Sequence, residues 1–238
     1  MKLNKIRTTA VLAIALSLVG SAVLSNPASA ADSRYITISA TGTTVVVPDA
    51  VRINATVSVL GKSSKEALAT SSTTATAVRA ALTENKVGAK DVATQSINVN
   101  PEYSYPATGT PVLTGYRATQ SFTITVRASA TAGAVVDAIV AAGGDNLQVN
   151  GVTPFILSNS AATDKARTYA VGRARAKAAS YAKLLGIKLG KVIYLDESST
   201  PSVYPIYSAM AKADGAATTV DLGEQKVSVS VTVRWAIG

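Results

Sequence analysis

The chain contains no cysteine and no histidine. Without thiols there is no disulfide framework and no thiolate nucleophile, so a form outside the cytoplasm must hold together by packing alone. Without imidazole, Ser-His-Asp triads, histidine general bases and ordinary zinc or copper sites are excluded together. Acid–base chemistry would fall to carboxylates, Lys or Tyr. Acids are also scarce, with 14 Asp and Glu against 23 Lys and Arg. The adjacent pair Asp196-Glu197, followed by Ser198-Ser199, invites a hydrolase reading. Neighbours on a strand point to opposite faces, however, so the pair reads as a solvated strand-to-loop junction. Asp49, after Pro48, reads as a turn residue. No catalytic residue, metal ligand or cofactor is assigned, and the chain is expected not to be an enzyme. A hydrolase using carboxylates or a Ser-Lys pair is the last-ranked alternative.

Long apolar runs are missing too, with one exception at the start. Lys2, Lys5 and Arg7 precede an apolar run from about Ala10 to Leu24, and Ala28-Ser29-Ala30 follow it. A charged start, a short apolar stretch and a small-residue site describe a secretory signal peptide, cleaved after Ala30. The run is shorter than the roughly 18 to 20 residues a membrane span needs. The expected product, residues 31–238, is an exported protein, periplasmic or extracellular, with no membrane span. The leader holds three cations and no acid, so 20 Lys and Arg then face 14 acids, a net charge of +6 rather than +9.

Within that product, several segments alternate with period two, as half-buried strands do. In "VRINATVSV" Val51, Ile53, Ala55, Val57 and Val59 face one way, with Arg52, Asn54, Thr56 and Ser58 opposite. "YRATQSFTITVR" sets Phe122, Ile124 and Val126 against Ser121, Thr123, Thr125 and Arg127, and "VSVSVTVRW" sets Val227 to Trp235 against Ser228, Ser230, Thr232 and Arg234. One wet face per strand argues for mixed, largely antiparallel sheets covered on one side by helices, an α+β fold.

About three helices fit between the strands. The first opens at "SSKE", where Ser63 and Glu66 have capping-box spacing, and Leu68, Ser71, Ala75, Val78 and Leu82 form its expected inner stripe. The second runs from about Thr131 to Ala142 and stops at Gly143-Gly144. The third runs from near Ser160 to Gly186, with Ala166, Ala170, Ala174, Ala178, Tyr181, Leu184 and Leu185 as one apolar face. Irregular loops are expected near 101–115 and 196–221, rich in Pro, Gly, Ser and Thr.

The third helix is basic, yet its cations form no single stripe, and no aromatics interleave with them at a stacking spacing. It therefore reads as a packing helix, and nucleic acid is not an expected partner. A weak contact with an anionic envelope surface fits the positive balance. Self-association or an envelope partner protein is the main expectation. Its candidate contacts are Tyr103, Tyr105, Tyr204 and Tyr207 in the irregular stretches and Arg52, Arg117, Arg127 and Arg234 on the wet strand faces.

The order of segments resembles the SIMPL-domain family of exported bacterial proteins. The resemblance rests on "ITISATGTTVVVPDAVRINATVSV", "KDVATQSINVNPEYSY", "LTGYRATQSFTITVR", "AGGDNLQVNGVTPFILS", "ARAKAASYAKLLGIKLGKVIYLDE" and "DLGEQKVSVSVTVRW", which span residues 31–238 almost completely. The chain departs from the family at Gly172, where an Asp is common, and at Thr41-Gly42-Thr43, where the family has Gly-x-Gly. The family includes oxidative-stress-defence proteins and envelope antigens, so the resemblance implies a role in stress tolerance through binding or assembly. It carries over no catalytic residue.

Overall fold

A computed structural model of the protein describes residues 34–197, 202–206 and 218–238, with the backbone alone over 202–206. The expected signal peptide and Tyr207 lie outside the described residues.

The elements follow in the order β1 (Tyr35–Val46), β2 (Ala50–Gly61), α1 (Ser64–Glu84), β3 (Val92–Ser104), β4 (Val112–Val126), α2 (Ala132–Gly143), β5 (Leu147–Phe155), α3 (Ser160–Leu185), β6 (Leu189–Glu197), β7 (Ser202–Ile206) and β8 (Glu224–Ile237). They form two antiparallel sheets. In the first, β8 is central, with β1 on one side and β6 and β7 along the other, Glu197 opposite Val231 and Ser202 opposite Ser228. The second has the order β3-β4-β2-β5. The α+β class and the one-sided helical cover are as the alternating patterns require.

Each sheet has its own core. Against the second sheet, α1 and α2 bury Val51, Ile53, Val57, Phe122 and Ile124 of the strands with Ala75, Val78, Leu82, Val135 and Ile139 of the helices. Ser63 accepts from the Glu66 amide and Glu66 accepts from the Lys62 amide, so the start of α1 is capped as its sequence predicts. The inner stripe begins one residue earlier than expected, at Ala67, and Leu68 is exposed. The first turn of α1 lies against the end of β2, where a Cβ on Gly61 would come 2.7 Å from the Ala67 amide nitrogen. Only glycine fits there without a shift of the backbone.

Over the first sheet, α3 lies on β1 and β8 through a single row of alanines, Ala166, Ala170, Ala174 and Ala178, which pack on Ile38, Val229, Val231, Val233 and Trp235. The helix comes so close that a Cβ on Gly42 would sit 2.0 Å from the Ala166 carbonyl oxygen and 2.3 Å from the Ala170 nitrogen. Gly186, left-handed at φ 67°, ends the helix as expected. Tyr181, Leu184 and Leu185 do not join this core, contrary to the helical-wheel reading. Methyl side chains bring the helix down onto the strands along one narrow row, and larger residues are left on its flanks and at its end.

The two expected loops are shorter than their composition suggests. Pro101 to Ser104 and Val112 to Gly115 continue the β3–β4 ladder, leaving 105–111 as the connection. In 196–221, Asp196 and Glu197 belong to β6 and 202–206 form β7, while Val220 packs on the second core. Thr218 is held there by the Asp137 carboxylate, which accepts from both its amide and its hydroxyl. Within this segment, residues 202–206 pair along β8 past the end of β6.

Candidate functional site

Three carboxylates near the sheets, Asp91, Glu102 and Glu197, are tied to arginines. The Asp91 carboxylate, nearly buried, takes two hydrogen bonds from Arg127 Nε and one from Nη2, at 2.7 to 3.0 Å. Glu102 is gripped by Arg117 Nε and, at 2.6 Å, by Nη2. Glu197 is gripped by Arg167 at 2.7 and 3.0 Å. Each arginine's hydrogen bonds hold its partner carboxyl below the usual carboxylate range and raise the guanidinium above its own. Asp196 is exposed, and Asp49, between β1 and β2, accepts from the amide of Leu157, just beyond β5, at 2.8 Å. Among the described residues, no three His, Cys, Asp or Glu converge as metal ligands.

The residues expected to make partner contacts are spread over the molecule. Arg52 and Arg117 belong to the second sheet, Arg127 directly follows β4 of that sheet, and Arg234 belongs to the first. Arg52 stacks on Phe155 at 4.5 Å, and Arg234 lies between Tyr35 at 4.3 Å and Tyr194 at 5.4 Å. Tyr103 and Tyr105 are exposed at and beyond the end of β3. The Tyr204 backbone pairs with Lys226 in β7.

Sequence reasoning missed the difference between the sheet edges. An open edge presents unpaired backbone groups and invites pairing with another chain. On β1, α3 closes part of that edge: Arg173 donates to the Thr41 carbonyl at 2.8 Å and Lys177 to the Ser39 carbonyl at 3.4 Å. Edge strands β3 and β5 carry Pro101 and Pro154, and both have shifts in register. On β6 the register also shifts, but its side chains are apolar, and Val192, Ile193, Tyr194 and Leu195 are all exposed. Leu195 pairs with the buried Val233 and shares its face, yet α3 lies mainly over β1 and β8 and meets β6 at Leu189 and Glu197, the ends of the strand, leaving Val192 to Leu195 exposed. The clue in the sequence was "KVIYLDE", an apolar run without the alternation seen in the other strands.

A two-layer α+β chain with two helix-backed antiparallel sheets is the class these observations define. The chain belongs to the SIMPL family, described as a protein of unknown function (DUF541), whose model matches residues 36–235. It is 30% identical over 215 residues to the 26 kDa periplasmic immunogenic protein of Brucella melitensis biotype 1, covering 85% of this chain and 84% of that one. The protein of the same name from Brucella abortus matches at the same identity and coverage.

Proposed function

We propose that the chain is a non-enzymatic, exported SIMPL-family protein of the cell envelope or extracellular space that supports stress tolerance, oxidative stress included, by binding or assembly. The observation that carries this reading is β6, an edge strand whose exposed Val192, Ile193, Tyr194 and Leu195 are left uncovered by α3. Exposed apolar side chains gathered on one strand mark an interaction surface. Export is supported by the leader pattern in residues 1–30 and by the relatives' description as periplasmic. The stress role rests on the family resemblance alone.

A second reading, a structural oligomer-forming envelope protein, is favoured by the same strand. The partly closed edge of β1 and the proline-bearing edges of β3 and β5 favour β6 as the surface on which a second copy would bury apolar area. The test is the native mass of residues 31–238 by size exclusion with light scattering, beside an Ile193→Ser/Leu195→Ser variant. The expected result is a discrete oligomer that the variant dissolves. A parent protein that is monomeric would overturn the assembly reading, and a deletion strain with ordinary sensitivity to peroxide and envelope stress would overturn the physiological one.

A further inference from the structure

Charge is unevenly divided between the two sheets. Residues 35–47, 160–197 and 224–238, which build the first sheet and α3, carry ten Lys and Arg and four acids, a net of +6. Residues 48–159, which build the second sheet with α1 and α2, carry eight and seven, a net of +1. Essentially the whole positive excess lies in one half. Within that half, residues 165–195 hold eight Lys and Arg and no acid. Arg167 is neutralised by Glu197 and Asp164, at the N-terminal end of α3. The cations of the C-terminal end, Lys177, Lys183, Lys188 and Lys191, have no carboxylate partner among the described residues.

The same end is apolar at its tip. Leu184 is 78% exposed, Leu185 66% and Tyr181 47%. Tyr181 and Leu185 form one wall of an open groove whose other wall is Ile36 and Ile38 of β1, with Lys177 at its side. Tyr35, where β1 begins, pairs with Ala236, and Leu189, where β6 begins, pairs with Ile237, so both strand starts meet β8 at this end. Leucines standing beyond the core, flanked by lysines, match a membrane interface: apolar side chains enter the acyl boundary while lysines meet lipid phosphates.

We infer that this end of the molecule, the tip of α3 with the start of β1, docks on an anionic phospholipid surface. The docking is peripheral, since no helix among the described residues is long and apolar enough to cross a membrane. Its occupant follows from charge: a net of +6 confined to one half attracts a negative surface and orients the chain with that half toward it. The inference does not depend on the β6 assembly reading, because Leu184, Leu185, Lys183 and Lys188 lie outside β6.

The test is cosedimentation of residues 31–238 with vesicles of phosphatidylcholine alone and with a large fraction of phosphatidylglycerol. Binding is expected only to the anionic vesicles and should fall steeply with added salt. Leu184→Ser/Leu185→Ser and Lys183→Glu/Lys188→Glu should each weaken binding about tenfold or more. These positions are exposed, so circular dichroism should report an unchanged fold. A charge reversal on the second sheet's half, Lys62→Glu/Lys86→Glu, should leave binding within about twofold. No cosedimentation at low salt would overturn the inference. So would binding that both tip variants leave intact, or retention on purified cell-wall glycan with none on the vesicles.

Discussion

Beneath β2 and β4, two helices meet the sheet through Val, Leu, Ile and Phe, whereas α3 meets β1 and β8 through methyl groups and one glycine. The bulky core sets helix and sheet apart and fills the space with side chains. The alanine core brings backbone close to backbone and leaves little to fill. Bulky cores are damaged mainly by removing atoms, and close-approach cores by adding them. The charge division follows the same line. The half with the small core carries the positive excess, because α3 spends its inner face on alanines and has long basic residues on the rest.

The comparison can be broken most sharply at Gly42. Gly42→Val places its side chain into the α3 backbone, which no rotamer change relieves, and should cost more than about 3 kcal/mol by urea denaturation. Gly151→Val, at a β5 position with nothing within 4 Å of an added Cβ, should change the midpoint by no more than about 0.5 kcal/mol. Equal effects at the two glycines would remove the close-approach account. On the other side, Ile53→Val deletes one methylene from the bulky core and should cost about 1 kcal/mol.

Ser71 sharpens the comparison in the opposite direction. It is fully buried in α1 against the second sheet, and its hydroxyl has no hydrogen-bond partner among the described residues. Ser71→Ala should therefore raise stability by up to about 1 kcal/mol, seen as a higher thermal midpoint. A lower midpoint would mean that the hydroxyl is satisfied in solution.

The smallest effect is the response to acid. Asp91 and Glu102 in the second half and Glu197 in the first have carboxyls held below their ordinary range by arginines. A depressed carboxyl pKa stabilises the fold above the ordinary carboxylate range, and that contribution is lost as pH falls through it and below. The urea midpoint should fall between pH 6 and pH 3. In an Arg117→Gln/Arg127→Gln variant the fall should be shallower, because two of the three pairs are gone. An identical pH profile for parent and variant would show that these pairs add nothing measurable.

Much of the architecture was legible because it is written in local periods. Val51 to Val59 and Val227 to Val233 alternate with period two, and each apolar member is buried. Ser63 and Glu66 marked the start of α1, and Gly186 the end of α3. The candidate site was less legible. Period two places Arg117 and Arg127 on wet faces, but their carboxylate partners are 15 and 36 residues away in sequence and are set by β3–β4 pairing and the turn before β3. Leu184 and Leu185 sit at core-like helical spacing, but the core under α3 is the narrow alanine row, and both leucines lie outside it.

By itself the sequence determined what short-range chemistry can: the absence of thiol and imidazole chemistry, the leader pattern, the strand faces, the helix ends and the α+β class. These depend on which atoms are present and on backbone repeats of two and 3.6 residues. Only the tertiary structure decided which edges are closed, which carboxylates are held by arginines and which apolar residues face water. Those outcomes depend on how near one element lies to another, and at Gly42 that distance is set by a side chain that is missing.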